Sequence, residues 1–376
     1  MSRIYLSPPD VRGGEREAVL SAIDSNWIAP FGPDLDAFES EVQAATGVSA
    51  SVGVTSGTAA LHLALLALGI TVGDEVLVPT FTFAAPANAA AYVGARPVLL
   101  DVDPETWTLS PDLVEEELRA RARTGHLPKA VITVDLYGQC ANYARLMPIF
   151  EEYGVLVVED AAEALGASAF GQLAGSFGRC AAMSFNGNKI VTTSGGGMFL
   201  TNDHSMNDRV RLLANQAREP VSHYEHTEVG YNYRLSNLLA AFGRSQLATL
   251  KQRIERRKEI NDRYRTALAS IPGIQFMPLA SYGEPNFWLT CITVDPDLVH
   301  TTPERLRLKL ETHDIESRRL WKPMHMQPAF MDAPSRIDGT SESAFERGLC
   351  LPSGSGMTEK QLNTVIKHLL EALTSD

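Results

Sequence analysis

Three observations predict an α/β fold, a mostly parallel central sheet flanked by helices, with a smaller C-terminal α+β domain. Four short apolar runs are rich in β-branched residues and do not alternate: "EVLVP" from Glu75, "PVLLDV" from Pro97, "AVITV" from Ala130 and "VLVVED" from Val155. That is the pattern of strands covered on both faces. Helix-prone segments such as "PDLVEEELRARA" and "ANYARLMPIFEEYG" lie between them, and strands alternating with helices build parallel sheets. The rhythm then stops near residue 235, where one long helix-prone stretch is expected over roughly Asn237 to Leu268. With 376 residues the chain exceeds the usual single-domain size. The expected division is a large domain over 1–250 and a small one over 251–376, closed by a terminal amphipathic helix.

Composition narrows the function classes. The net charge of -12 argues against a general nucleic-acid surface, because phosphate backbones need a basic face. A local basic pocket for a phosphorylated small molecule stays open. No apolar run approaches the roughly 20 residues that span a bilayer, and "MSRIYLSPPD" lacks the apolar centre of a signal peptide. Cys140, Cys180, Cys291 and Cys350 are far apart and form no C-x-x-C pair. Neither a zinc site nor a disulfide framework is expected, and buried free thiols in a cytoplasmic protein fit best.

Ligands of open parallel sheets bind beyond the carboxyl ends of the strands, so the loops after the apolar runs are where chemistry belongs. In "TSGTAALHLALLALG", Thr55 to Gly69, a Ser-Gly-Thr turn opens a helix that is apolar all round. Its free N–H groups and dipole suit a phosphate, with Gly57 allowing close approach and Thr58 adding a hydroxyl. A plain N-cap on a core helix explains the same residues. In "VLVVEDAAEALGA", Asp160 ends the strongest strand, where a carboxylate can bind a metal, act as a base, keep a heterocyclic nitrogen protonated or merely cap a helix. No second cluster with metal-ligand spacing appears. Glu163 falls one helical turn later, so both acids can face one cleft.

"SFNGNKIVTTSGGG", Ser184 to Gly197, follows the strand "CAAMSF". A Walker A loop needs G-x-x-x-x-G-K before Ser or Thr, and here Asn188 precedes Lys189 while Ile190 follows it. Of eight lysines only Lys129 and Lys189 fall in the first 250 residues, and Lys129 enters a strand at the end away from the cleft. Lys189 is thus placed to meet Asp160, either as a covalent amine or as a surface lysine. Schiff-base chemistry uses the neutral amine, which a partly desolvated pocket favours. "GYNYRLSN", Gly230 to Asn237, reads as a phosphate or interface loop, or as a packed aromatic turn. A helix N-terminus, an aspartate at a strand end and a lysine beyond another strand are together what pyridoxal phosphate requires.

These motifs resemble the DegT/DnrJ/EryC1/StrS group, fold-type-I pyridoxal phosphate aminotransferases acting on nucleotide-linked keto-sugars. The similarity runs from "SNWIAPFGPDLDAFE" through "SGTAALHLAL", "EDAAEALGA", "SFNGNKIVTTSGGGM" and "GYNYRLSN" to "LPSGSGMT". The resemblance implies Lys189 as the Schiff-base lysine and Asp160 as the pyridinium partner. It implies Gly57, Thr58 and Ser184 as phosphate ligands and Phe83 as the aromatic stacked on the ring. Glu163 stands where many members carry His or Gln near the ring hydroxyl. Asn232 is implied to reach the phosphate of a neighbouring subunit, which gives a homodimer with shared active sites. Members that became 3-dehydratases have histidine in place of the lysine, so Lys189 favours transamination.

"NWIAPFGP" and "LWKPMHMQP" look most like aminotransferases that use L-glutamate and UDP-4-keto-6-deoxy-N-acetylglucosamine, on the route to bacillosamine. Trp27, Ile28, Arg318, Lys322 and His325 are the substrate contacts this suggests; the last three are donors in an acidic protein. GDP-perosamine synthase is the nearest rival, followed by enzymes of dTDP-sugars and of free amino acids. A non-catalytic regulator that keeps the cofactor is the alternative of another class.

Overall fold

The computed structural model describes residues 3–374. Five strands come first: β1 (Ala50–Val54), β2 (Glu75–Pro79), β3 (Arg96–Leu100), β4 (Ala130–Val134) and β5 (Leu156–Asp160). The short β6 (Ser168–Ala169) and β7 (Gln172–Leu173) precede β8 (Cys180–Ser184) and β9 (Gly197–Thr201). The remainder are β10 (Ile274–Phe276), β11 (Gly283–Glu284), β12 (Thr290–Val294), β13 (Arg318–Arg319), β14 (Ser335–Arg336) and β15 (Gly348–Leu351).

The large sheet has eight strands in the order β1-β9-β8-β5-β4-β2-β3-β14. It is parallel from β8 to β14, and only β9 runs against its neighbours β1 and β8. The four apolar runs read in the sequence are β2 to β5. Their side chains feed both faces: Val157 and Val131 enter one core, Val158 and Ile132 the other. Helices α1 (Glu15–Asp24), α2 (Pro33–Thr46), α3 (Gly57–Ala67), α4 (Ala85–Tyr92), α5 (Pro111–Ala122), α6 (Tyr143–Tyr153) and α7 (His204–Ala214) belong to this body.

Helix α3 is the most buried of them. Leu61, Leu63 and Leu65 are all at most 1% exposed, each contributing about 1.5–3 kcal/mol by leaving water. A helix held on all sides cannot rotate, so its N-terminus has a fixed position at the carboxyl edge of the sheet. Leu63→Ala would leave a cavity costing about 2–5 kcal/mol.

Two sequence expectations need correction. The long helix expected over 237–268 is two helices, α8 (Asn237–Leu247) and α9 (Leu250–Leu268). Gln246 and Arg253, on either side of the break, both donate to the carbonyl of Asp10, at 2.8 and 2.9 Å. That shared anchor turns the chain away from α1 and α2, on which α8 packs. No helix follows β5 either: residues 161–166 form turns.

The second body is a four-stranded sheet, β10-β12-β15-β13, covered by α9 and by the amphipathic helix Glu359–Thr374. A third sheet, β11-β6-β7, is small. Segments cross between the bodies: Ile4 bridges to Ile315, and β14 pairs with β3 in the large sheet. Among the described residues no helix is long and apolar enough to cross a membrane.

Candidate active site

Strands β1, β5 and β8 end at the same edge of the large sheet, with the start of β9 between β1 and β8, and the segments around these ends enclose a cavity of about 400 Å³. Gly57, Thr58, Phe83, Asp160, Glu163, Ser184, Lys189 and Arg318 all line it. These residues come from segments up to 261 positions apart (318 − 57), and the fold brings them to one place.

At one end stands the start of α3. The Ser56 hydroxyl caps the helix by accepting from the Ala59 amide at 3.0 Å. The amides of Gly57 and Thr58 find no acceptor among the described residues. The backbone is crowded there for a reason. A Cβ on Gly57 would sit 3.1 Å from the Ser184 Cβ, and one on Gly197 would sit 2.4 Å from the Ser56 carbonyl carbon. The two glycines let β9 and α3 close around the free amides, a donor-lined cradle suited to an anion.

Asp160 ends β5 and is 5% exposed. One oxygen accepts from the Ala162 amide at 3.1 Å, and the other makes no hydrogen bond among the described residues. Burial, with the nearby Glu163 charge, pushes the carboxyl up to about 7, against the opposing pull of the Ala162 amide and Lys189. An unpaired buried carboxylate is costly, and a cationic N–H at its free oxygen would offset that cost.

Glu163 reaches the same cavity from the turn after β5. Its Oε2 accepts from the Tyr137 amide at 2.7 Å, and its Oε1 lies 3.4 Å from Lys189 Nζ. Tyr137 has a left-handed backbone, φ 52°, a conformation that costs a non-glycine residue and often marks functional sites. The Lys189 ammonium also sits 4.0 Å from the centre of the Trp288 ring. Its loop is tied down through the carbonyl of Asn188, which accepts from the Ser7 hydroxyl and the Trp288 indole, both at 2.8 Å. Phe83 meets Trp321 edge to face at 5.4 Å.

Five other candidates lie outside this cavity. Asn232 is exposed and bridges to Asn215. Trp27 and Ile28 are exposed between α1 and α2. Lys322 is half-buried, and His325 bonds Thr80 through Nδ1 at 2.7 Å and Glu342 through Nε2 at 3.0 Å. Arg318 lines the cavity while paired with Glu316 at 2.8 Å. Within "GYNYRLSN", Tyr231 and Tyr233 stack at 5.1 Å and Arg234 pairs with Glu39 at 2.7 Å, so in one chain this is a packed aromatic turn.

The sequence reading missed Trp288, Trp321, Tyr137 and Asn286. The one available signal was "PNFWLT", two potential donors next to an apolar strand, which carries no motif.

The donor set fits pyridoxal phosphate: free helix amides and hydroxyls at one end, an unpaired aspartate oxygen, a lysine amine and an aromatic face. The comparisons with known proteins agree. Residues 9–370 match the model of the DegT/DnrJ/EryC1/StrS aminotransferase family. The chain is 48% identical over 372 residues to EpsN of Bacillus subtilis (strain 168), whose name assigns it to the pyridoxal phosphate-dependent aminotransferases, covering 98% of this chain and 95% of that one. It is 37% identical to the GDP-perosamine synthase of Caulobacter vibrioides, covering 99% of both. Among solved structures, the PLP form of Spr1654 from Streptococcus pneumoniae superimposes with a TM-score of 0.88 at 25% identity, covering 99% of this chain and 100% of that one.

Proposed function

This chain belongs to the DegT/DnrJ/EryC1/StrS aminotransferase family, a pyridoxal phosphate-dependent sugar aminotransferase, and on that premise we propose that it moves the amino group of L-glutamate onto the C4 ketone of a nucleotide-linked 4-keto-6-deoxy sugar. UDP-4-keto-6-deoxy-N-acetylglucosamine is the sugar proposed first, on the strength of "NWIAPFGP" and "LWKPMHMQP". The observation that carries the reading is the meeting of Lys189, Asp160 and the free N-terminus of α3 in one cavity.

Pyridoxal phosphate, when bound, supplies an aldehyde that accepts the amine and a ring that delocalises the electron pair left by proton removal. In this proposal Gly57, Thr58 and Ser184 hold its phosphate, and Phe83 covers its ring. Asp160 keeps the ring nitrogen protonated, while Glu163 stands by the ring hydroxyl. Lys189 would be the amine that holds the aldehyde carbon and, when free, the base and acid that moves the proton at the substrate carbon. In the second half of a ping-pong cycle the same amine delivers a proton to sugar C4. Arg318, Lys322 and His325 face the nucleotide diphosphate.

A homodimer with shared sites belongs to the same proposal. Trp27, Ile28, Phe31, Tyr224 and Val229 leave between 43% and 82% of their surface exposed, and exposed large apolar groups mark association surfaces. Asn232, also exposed, is proposed to reach the phosphate of the partner subunit. A cytoplasmic setting is supported by four unpaired, buried cysteines.

The test is incubation with L-glutamate and a panel of UDP-, GDP- and dTDP-4-keto-6-deoxy sugars, with products read by mass spectrometry. A 4-amino sugar from the UDP substrate is expected. Turnover of the GDP sugar alone would replace that substrate with a perosamine-type one. A yellow absorbance that glutamate fails to bleach would point to a non-catalytic protein.

A further inference from the structure

We propose that Trp288 is a positioning residue that receives the Lys189 ammonium whenever that amine is not covalently engaged, an inference resting on the reading of Lys189 given above. The ammonium lies 4.0 Å from the centre of the indole ring, and the lysine side chain is only 12% exposed. A cation over an aromatic face is attracted by the ring quadrupole, most strongly where water is excluded and with tryptophan as the best face. Three charged groups surround the amine: Glu163 at 3.4 Å, Asp160 at the end of β5, and Arg318 on the cavity wall.

The ring is not free to move away. Its indole N–H donates to the Asn188 carbonyl at 2.8 Å, one residue before Lys189. Its backbone amide donates to Asn286 Oδ1 at 2.9 Å, and its carbonyl accepts from the buried guanidinium of Arg257. Tyr137 stacks on it at 6.3 Å, with the ring planes 21° apart. The Asn286 amide, fully buried, donates in turn to the carbonyls of Glu163 at 2.8 Å and Leu165 at 3.0 Å. One asparagine therefore ties the Trp288 backbone to the Glu163 turn, and the indole N–H ties the ring to the lysine loop. Aromatic face, carboxylate and amine form one rigid unit.

The consequence is chemical. A π face at 4.0 Å and a carboxylate at 3.4 Å together hold a cationic amine in one place. A displaced Lys189 is thus kept in place on the cavity wall, where the proposed proton transfer to the sugar carbon needs it. A tryptophan that merely filled space would leave the reactivity of the lysine indifferent to the electron density of its ring.

That difference is measurable on the full-length cofactor-free chain, with no turnover assay. Trp288 is replaced, by codon suppression, with indoles carrying one to four ring fluorines, which drain the π face and keep the shape and the N–H. Acetic anhydride then acylates the lysines at neutral pH, and peptide mass spectrometry reads each rate. Lys129, at the opposite edge of the sheet and bonded to the Gly69 carbonyl, is the internal reference. The Lys189 rate is expected to climb with each fluorine to about tenfold, while Lys129 stays constant. Trp288→Leu should match the most fluorinated ring, and Trp288→Phe should stay within about threefold of the parent. A rate independent of fluorination overturns the proposal, as do equal rates in the Phe and Leu variants, which would mean a loosened loop. If borohydride fixed no cofactor to Lys189 in the parent protein, the reading of Lys189 would fail, while the fluorine series would still report on the indole.

Discussion

Lys189 Nζ lies 3.4 Å from Glu163 Oε1, whereas Asp160 forms no ion pair with that amine among the described residues. The two acids at the carboxyl edge of the large sheet therefore do different work. Glu163 spends one oxygen on the Tyr137 amide and the other on the lysine. Asp160 keeps an oxygen in reserve.

Glu163→Gln and Glu163→Ala should separate the two bonds of Glu163. Glutamine can still accept from the Tyr137 amide, so its unfolding free energy is expected within about 1 kcal/mol of the parent. Alanine leaves that buried N–H without an acceptor and should cost about 1–3 kcal/mol. Urea unfolding of the cofactor-free chains checks both values.

Asp160 makes stability depend on pH in a particular direction. Burial pushes its folded carboxyl up to about 7, well above the ordinary aspartate range near 4, so between those values the folded chain binds the extra proton. Stability from this group is then full below about pH 4, falls as pH rises towards 7 and is flat beyond, by at most about 4 kcal/mol. Asp160→Asn should abolish the fall, seen as a smaller difference between urea midpoints at about pH 5 and about pH 8. Cofactor affinity should move the other way, strengthening as Asp160 ionises, and the asparagine variant should lose that dependence.

Gly197→Ala probes the cradle. Its Cβ would meet the Ser56 carbonyl oxygen at 2.5 Å and the Gly57 nitrogen at 2.6 Å, so β9 and the start of α3 must part. A loss of about 1–3 kcal/mol in stability is expected. Displacing the free amides should also weaken cofactor binding at least tenfold, an effect of about 1.4 kcal/mol or more. Fluorescence titration with pyridoxal phosphate reads the second effect.

The shared-site proposal makes a mixing experiment decisive. Lys189→Ala and Asn232→Ala chains should each be poorly active alone. After subunit exchange, half the dimers are hybrids carrying one intact site, so about a quarter of parental activity should return. No recovery in a mixture shown to exchange subunits would count against Asn232 acting across the interface.

Much of the site was legible because chemistry here follows strand ends. Apolar runs located β2 to β5, the parallel-sheet rule pointed to carboxyl ends, and Asp160 and Ser184 close such strands while Lys189 lies just beyond one. What was not legible depends on contacts between distant segments. Trp288 meets a lysine 99 positions away (288 − 189), and no local pattern marks it. The split between α8 and α9 hinges on Asp10, more than 230 residues upstream. Trp27, Ile28 and Asn232 are exposed and lie outside the cavity of the single chain; of the three, the role proposed for Asn232 needs a second copy.

The most direct measurement is borohydride reduction of the cofactor-loaded protein followed by peptide mapping. The expected result is loss of the yellow absorbance and a reduced pyridoxyl phosphate mass on the peptide containing Lys189, absent from Lys189→Ala. A label on Lys129 or another lysine, or normal turnover by Lys189→Ala, would contradict Lys189 as the covalent amine.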